Sequence, residues 1–240
     1  LKEGCVSTAL CWIVMSIMGC LPFVLTGEIG SFTDAMFETV SGFTTTGASI
    51  LTDVEALSRV SLFWRSFTHW IGGMGILVLM MAILPDSSGR SIFLMRAEMP
   101  GPVVDKIVPR VKNTAKILYF IYLALTMMQV IFLLCGGLSL FESFICAFGT
   151  AGTGGFSINA DGLAGYSSYL QWVVTIFMLI FGINFNLYYL FLTRKGKSAI
   201  KSEELWTYIG IVVAASVIIA INIFPTYGLT DSVKYSAFQV

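Results

Sequence analysis

Residues 44–49 read Thr-Thr-Thr-Gly-Ala-Ser, and residues 150–157 read Thr-Ala-Gly-Thr-Gly-Gly-Phe-Ser. At an offset of 108 residues, the two runs share the pairs Thr45 and Thr153, Gly47 and Gly155, and Ser49 and Ser157. A repeat within one chain indicates two copies of one structural unit. These runs decide the fold, because the segments around them are also alike.

Each run follows a short amphipathic stretch, at residues 31–43 and 140–150. At about 1.5 Å rise per residue, a helix of this length covers roughly half of the hydrocarbon thickness of a membrane. Such a helix cannot span the bilayer. The sequence therefore predicts two half-helices, each of which ends in a loop rich in glycine and threonine.

The composition of these loops is typical of a cation-binding site. Non-helical backbone is tolerated at membrane depth only where it is buried in protein or lines a water-filled cavity. A loop meets that condition when its carbonyls replace the water shell of a dehydrated cation. Glycine permits the backbone angles this requires, and the negative end of the half-helix dipole favours a cation. The alternative, two interfacial helices with glycine-rich turns, is disfavoured by the second copy in register.

The composition of the whole chain is that of an integral membrane protein. Hydrophobic residues make up 56% of the 240 residues and charged residues 12%, with a mean hydropathy of +0.84. A soluble domain has about 25% charged residues. The formal net charge is zero, so nothing indicates a nucleic-acid partner. Spans of about 20 apolar residues are predicted at 5–26, 60–84, 115–136, 168–192 and 205–223.

The basic residues predict the orientation in the membrane. Residues 85–114 and 193–204 are rich in Lys and Arg, whereas residues 137–167 contain neither and residues 27–59 contain only Arg59. The positive-inside rule places the two basic segments in the cytoplasm. The half-helices and their loops then enter the membrane from the outside.

The fold class predicted is an all-α integral membrane protein built from repeated span–pore-helix–span units with re-entrant loops. The first repeat is predicted at 1–84 and the second at 115–192, with cytoplasmic linkers at 85–114 and 193–204. Residues 205–240 are predicted to be the first span and the start of the pore helix of a third repeat. The third copy is indicated by Tyr235–Val240, which aligns with Asp34–Thr39 at an offset of 201 residues. We therefore expect the chain to be part of a longer protein.

Several motifs resemble one known family. They read Phe-Glu-Thr-Val-Ser-Gly-Phe-Thr-Thr-Thr-Gly-Ala at 37–48, Trp-Arg at 64–65, Trp-Ile-Gly-Gly-Met-Gly at 70–75, Arg-Ala-Glu-Met-Pro-Gly-Pro at 96–102 and Thr-Gly-Gly-Phe-Ser at 153–157. Together they resemble the Trk/Ktr/HKT superfamily of potassium transporters, and in particular its bacterial Trk membrane subunits. The resemblance covers essentially the whole chain.

The resemblance implies potassium uptake across the plasma membrane through one pore with pseudo-fourfold symmetry, formed by four repeats. It also implies a selectivity filter whose potassium-binding carbonyls here belong to Thr45, Thr46, Gly47, Thr153, Gly154 and Gly155. Within the family, glycine at each filter position accompanies potassium selectivity, and serine in the first repeat accompanies sodium. The implied partners are a second copy of the chain, membrane lipid and a cytoplasmic ring protein that binds the regulatory nucleotide. No cofactor of the chain itself is implied.

Three other functions stand beside potassium uptake. A membrane enzyme is disfavoured, because the chain lacks a Ser/His/Asp set or paired carboxylates at a shared depth. The remaining alternatives are a sodium or mixed-cation conductor and a non-conducting scaffold, which would not need the loop glycines. Among ionisable residues in the membrane, Arg65 and His69 are candidate partners for a carboxylate of the half-helix, which carries Asp34 and Glu38. The alternative for Arg65 is a position near the outer interface with its head in water.

Overall fold

The computed structural model describes residues 2–75, 111–192 and 199–240. These ranges contain helices and no strand, which confirms the all-α class. The helices are α1 (Lys2–Thr26), α2 (Phe32–Phe43), α3 (Arg59–Gly73), α4 (Val111–Cys135), α5 (Leu140–Ala151), α6 (Ser168–Gly182), α7 (Phe185–Leu192) and α8 (Glu203–Gln239). The chain forms two compact units, Leu1–Gly165 and Tyr166–Val240, which are described separately.

Three of these helices, α1, α4 and α8, are long and apolar enough to cross a membrane. The first two agree with the spans predicted at 5–26 and 115–136. The predicted span 60–84 begins in α3, but its part beyond residue 75 lies outside the described residues. Of the cytoplasmic segments predicted at 85–114 and 193–204, residues 85–110 and 193–198 also lie outside them.

The fourth predicted span is not one continuous helix. Its helices α6 and α7 meet at a bend of 83°. Ile183, between them, has extended backbone angles (φ −73°, ψ 138°). The side-chain oxygen of Asn184 accepts a hydrogen bond from the Asn186 N–H at 3.0 Å and so caps the start of α7. The predicted span 168–192 is therefore broken near its middle, which hydropathy alone does not reveal and the capping tendency of asparagine explains.

The bend is joined to the beginning of α8 within the second unit. The Asn184 amide donates to both carboxylate oxygens of Glu204, at 3.0 and 3.2 Å. The hydroxyl of Tyr208 donates to the Leu179 carbonyl at 3.2 Å. Helix α8 extends beyond the predicted limit of residue 223, and Gly228 interrupts it with φ 72° and ψ 177°.

In the first unit, α2 packs against α1 and α3, and α5 packs against α3 and α4. Helix α3 therefore lies between the two half-helices. The Trp64 indole N–H donates to the Gly19 carbonyl at 2.8 Å, which joins α3 to α1. The Trp70 indole N–H donates to the Thr126 hydroxyl at 3.1 Å, which joins α3 to α4. The two loops that follow α2 and α5 are thus held on one shared support.

Candidate functional site: two facing Gly/Thr loops

The predicted half-helices are present as α2 and α5, and each begins at a serine cap. Ser31 accepts a hydrogen bond from the Asp34 N–H at 3.4 Å, and Ser139 accepts one from the Glu142 N–H at 3.3 Å. These serines are 108 residues apart, the same offset as the loops. At α5 the Glu142 carboxylate also accepts from the Ser139 N–H at 2.9 Å, which completes a capping box.

The two half-helices also end in the same way. The Thr44 N–H donates to the Val40 carbonyl at 2.8 Å, and at the matching position the Gly152 N–H donates to the Phe148 carbonyl at 3.3 Å. The next N–H groups do the same: Thr45 donates to the Gly42 carbonyl at 3.0 Å, and Thr153 donates to the Thr150 carbonyl at 2.8 Å. The sequence repeat is therefore a repeat of backbone structure.

The loop backbones share an unusual conformation. In the first loop φ is 54° at Thr45 and 75° at Gly47; in the second it is 58° at Thr153 and 75° at Gly155. Positive φ is uncommon at a β-branched residue and tends to occur at functional sites. The residue between each pair has negative φ. Alternation of this kind turns neighbouring peptide groups the same way, so that their N–H groups point to one side and their carbonyls to the other.

The loops approach each other backbone to backbone. A Cβ atom added to Gly47 would collide with the carbonyl oxygen of Gly154. A Cβ atom added to Gly154 would lie 2.6 Å from the carbonyl oxygen of Thr45. Position 47 therefore requires glycine for two reasons: its φ is positive, and the backbone of the neighbouring loop leaves no space for a side chain. The structure thus brings Thr45 and Gly47 of the first repeat against Gly154 of the second.

Glu38 supports the first loop from behind. Its carboxylate accepts hydrogen bonds from the Ser49 hydroxyl at 3.0 and 3.1 Å and from the Ile50 N–H at 3.1 Å. It also accepts from Nε of Arg65 at 2.5 Å. The residue is 1% exposed. The prediction that Arg65 pairs with a half-helix carboxylate is confirmed, and the structure identifies that carboxylate as Glu38.

Arg65 also contacts the second loop. Its Nη1 donates to the Ser157 carbonyl at 3.0 Å, and its guanidinium carbon lies 3.7 Å from the ring centre of Phe156. The residue is 3% exposed, so the alternative that places its head in water is wrong. Sequence reasoning missed the Ser157 carbonyl, although the match of Ser157 with Ser49 marked this position as part of the repeat.

His69 lies against the second loop and does not pair with a carboxylate, contrary to that part of the prediction. Its ring centre is 4.7 Å from that of Phe156, and Cβ atoms added to Gly152 or Gly154 would collide with it. The side chain is fully buried. Within the described part of the chain, neither ring nitrogen has a hydrogen-bond partner. Its observed role is to pack beneath the loop.

The glycines of α3 allow it to touch the ends of both half-helices. A Cβ atom added to Gly72 would collide with the Phe43 carbonyl oxygen. One added to Gly73 would lie 3.0 Å from the Ala151 carbonyl oxygen. Phe43 and Ala151 are the last residues of α2 and α5. Close packing against the two half-helices is therefore the role of Gly72 and Gly73.

A cavity of about 320 Å³ lies beside the two loops within the first unit. It is bordered by Gly47 and Ser49 of one loop, by Gly155 and Ser157 of the other, and by Arg65. Among the described residues, no group of three His, Cys, Asp or Glu side chains is placed to hold a metal ion. The oxygen atoms that the loops offer are backbone carbonyls and hydroxyls, which suit a weakly held monovalent cation.

Comparison with known proteins gives consistent matches. A family described as "TrkH: Cation transport protein" matches residues 1–224. The Trk system potassium uptake protein TrkH of Escherichia coli K12 is 39% identical over 215 residues, covering 88% of this chain and 44% of that protein. The corresponding protein of Halomonas elongata is 39% identical over 192 residues, covering 78% of this chain and 40% of that protein.

A solved structure has the same fold. The crystal structure of the potassium transporter TrkH from Vibrio parahaemolyticus superposes with a TM-score of 0.82 at 30% sequence identity. The match covers 100% of this chain and 50% of that one. The chain thus spans about half the length of the relatives that it matches.

Proposed function

Because this chain belongs to the TrkH family of cation transport proteins, we propose that the complete protein takes up potassium across the plasma membrane. In this proposal the chain contributes two of the loops that surround one pore. The family is one of transporters, and the described residues offer the chemistry of ion coordination. Relatives described as potassium uptake proteins support potassium as the transported ion.

The observation that carries the proposal is the shared conformation of the two loops. Positive φ at Thr45 and Gly47 recurs at Thr153 and Gly155. With Thr46 and Gly154 between them, these residues would offer successive backbone carbonyls to a dehydrated cation. Both loops follow the C-terminal ends of helices, where the helix dipole is negative. We propose these six residues as the contribution of this chain to the selectivity filter.

We extend the proposal to the assembly and the regulation of the protein. As in the resembling family, it would work as a homodimer with a cytoplasmic ring protein that binds a nucleotide. The basic stretch 90–116 is the candidate contact for that partner, and most of it lies outside the described residues. The potassium ion is the cargo, and we propose no cofactor bound to the chain.

The test is rubidium uptake and potassium-limited growth in cells that lack their own potassium uptake systems. The full-length gene is expressed as wild type and as Gly47→Ser, with Gly27→Ser as the control. Gly27 also has positive φ (72°), but a Cβ atom there would meet nothing within 4 Å. We expect the wild type and the control to restore uptake, and Gly47→Ser to lose its preference for potassium over sodium.

Other outcomes would change the proposal. If a well-expressed wild type gave no uptake together with its ring partner, a non-conducting scaffold would replace the transporter. If uptake showed no preference for potassium over sodium, the protein would be a mixed-cation conductor. If Gly47→Ser retained full selectivity, the assignment of the filter would be wrong.

A further inference from the structure

A single guanidinium connects the two Gly/Thr loops. Nε of Arg65 donates to the Glu38 carboxylate, and Nη1 donates to the Ser157 carbonyl at 3.0 Å. Glu38 in turn accepts from the Ser49 hydroxyl and the Ile50 N–H. The connection therefore runs from one loop, through two buried side chains, to the other loop.

Both ends of this connection attach just beyond a proposed filter glycine. Ser49 and Ile50 follow Gly47 by two and three residues, and Ser157 follows Gly155 by two. The attachment points are thus at equivalent places in the two repeats. A change in the distance between them would be transmitted directly to the glycines, because only one or two residues intervene.

We propose that Arg65 is a positioning residue for ion selectivity, which sets the spacing between the first and second filter loops through Glu38 and Ser157. The inference rests on the proposed transport function. In this role Arg65 affects ion selectivity without touching the ion. A guanidinium suits this role because it is planar and has five donors in fixed directions, so that it holds two acceptors at a set separation. Its stacking on Phe156 fixes the plane of the group.

The charges of the pair have a second consequence. Arg65 borders the cavity beside Gly47 and Gly155, where its positive charge would repel a cation. Glu38 cancels that charge at hydrogen-bond distance. Removal of one member of a buried pair leaves an uncompensated charge, whereas removal of both does not. Loss of Glu38 alone should therefore impair conduction more than loss of both residues.

A lysine at position 65 separates positioning from simple pairing. Lysine retains the positive charge and can pair with Glu38, but it has no fork of donors with which to hold the Ser157 carbonyl in the same geometry. If the pair only joined α2 to α3, Arg65→Lys would behave like the wild type. The matched control is Arg59→Lys, because Arg59 is an exposed residue at the start of the same helix.

The experiment compares wild type, Arg65→Lys and Arg59→Lys in the full-length protein. Rubidium uptake is measured under competition by potassium or sodium, and the amount of protein in the membrane is measured in parallel. We expect Arg65→Lys to lower the preference for potassium over sodium about tenfold, the effect of losing one charge-assisted hydrogen bond. Arg59→Lys should be unchanged. Full selectivity in Arg65→Lys would overturn the proposal.

A second pair of variants tests the charge argument. Glu38→Gln should lose most uptake of both ions, and the double variant Glu38→Gln with Arg65→Gln should regain rate but not selectivity. A double variant that recovers selectivity as well would overturn the positioning role. A double variant no faster than Glu38→Gln would overturn the role of charge cancellation.

A binding measurement does not depend on transport. The purified protein is heated in detergent with potassium chloride or sodium chloride, since an ion that binds only the folded state raises the melting temperature. We expect the wild type to be more stable in potassium than in sodium, and Arg65→Lys to lose most of this difference. A wild type that shows neither uptake nor this difference would contradict the proposed function itself. An unchanged difference in Arg65→Lys would contradict only its positioning role.

Discussion

Gly72 contacts the Phe43 carbonyl closely because glycine has no side chain, and this contact shapes the site. Helix α3 meets the last residue of the first half-helix at this point, and a methyl group there would collide with backbone. We expect Gly72→Ala to push α3 away from the first loop, with loss of potassium uptake and a lower melting temperature in detergent. Backbone cannot move aside as a flexible side chain can, so the effect should be large.

Gly210→Ala is the control for this prediction. Gly210 is also a helical glycine, in α8, but a Cβ atom there would meet nothing within 4 Å. Alanine favours the helical conformation, and the control should melt at the wild-type temperature or slightly above it. Equal behaviour of the two variants would show that the contact at Phe43 does not matter.

At the scale of elements, the capping box of α5 predicts a dependence of stability on pH. The Ser139 hydroxyl and then the Ser139 backbone N–H lower the pKa of the Glu142 carboxyl below its usual 4.5. A carboxyl whose pKa is lower in the folded state contributes stability above the unfolded pKa. That contribution is lost as the pH falls through the folded pKa. The wild type should therefore be more stable than Glu142→Gln at neutral pH, with the difference vanishing well below pH 4.5.

Melting temperatures in detergent across this pH range measure the effect. The matched control is Asp34→Asn, at the equivalent position of α2. Among the described residues, that cap has the hydrogen bond from the Asp34 N–H to the Ser31 hydroxyl oxygen but no capping box. Because it breaks no capping box, Asp34→Asn should lower the melting temperature at neutral pH less than Glu142→Gln does. A difference for Glu142→Gln that grew as the solution became more acidic would contradict the assignment.

The half-helices are the elements that sequence predicts best, for a physical reason. Each combines an N-cap serine, an amphipathic stretch and a Gly/Thr run, and these local signals agree with one another. The pair Arg65–Glu38 was predictable as a candidate, because buried charges require partners. The contact of Arg65 with the Ser157 carbonyl joins positions 92 residues apart and involves backbone, which no residue type signals. The same applies to the packing of His69 under the second loop.

At the scale of the whole molecule, the distribution of basic residues predicts which ends of the helices face the cell exterior. Asp161 belongs to the predicted outer segment 137–167, and Glu203 belongs to the predicted inner segment 193–204; both are exposed. In a cysteine-free background, Asp161→Cys should react with a membrane-impermeant maleimide on intact cells. Glu203→Cys should react only after the membrane is made permeable. The reverse pattern would invert the orientation and place the loops at the inner face.

The bridge between Arg65 and Glu38 makes the two copies of the repeat unequal. The duplicate positions hold Cys146 in place of Glu38, and Val173 or Val174 in place of Arg65 at offsets of 108 or 109 residues. Two identical units would be interchangeable around a pore. Because the first copy carries a charged bridge to its neighbour and the matching positions of the second copy carry no charge, the two copies are not interchangeable. If the two segments were exchanged, Arg65 and Glu38 would lie beside a different neighbouring loop. The order of the two copies along the chain therefore matters.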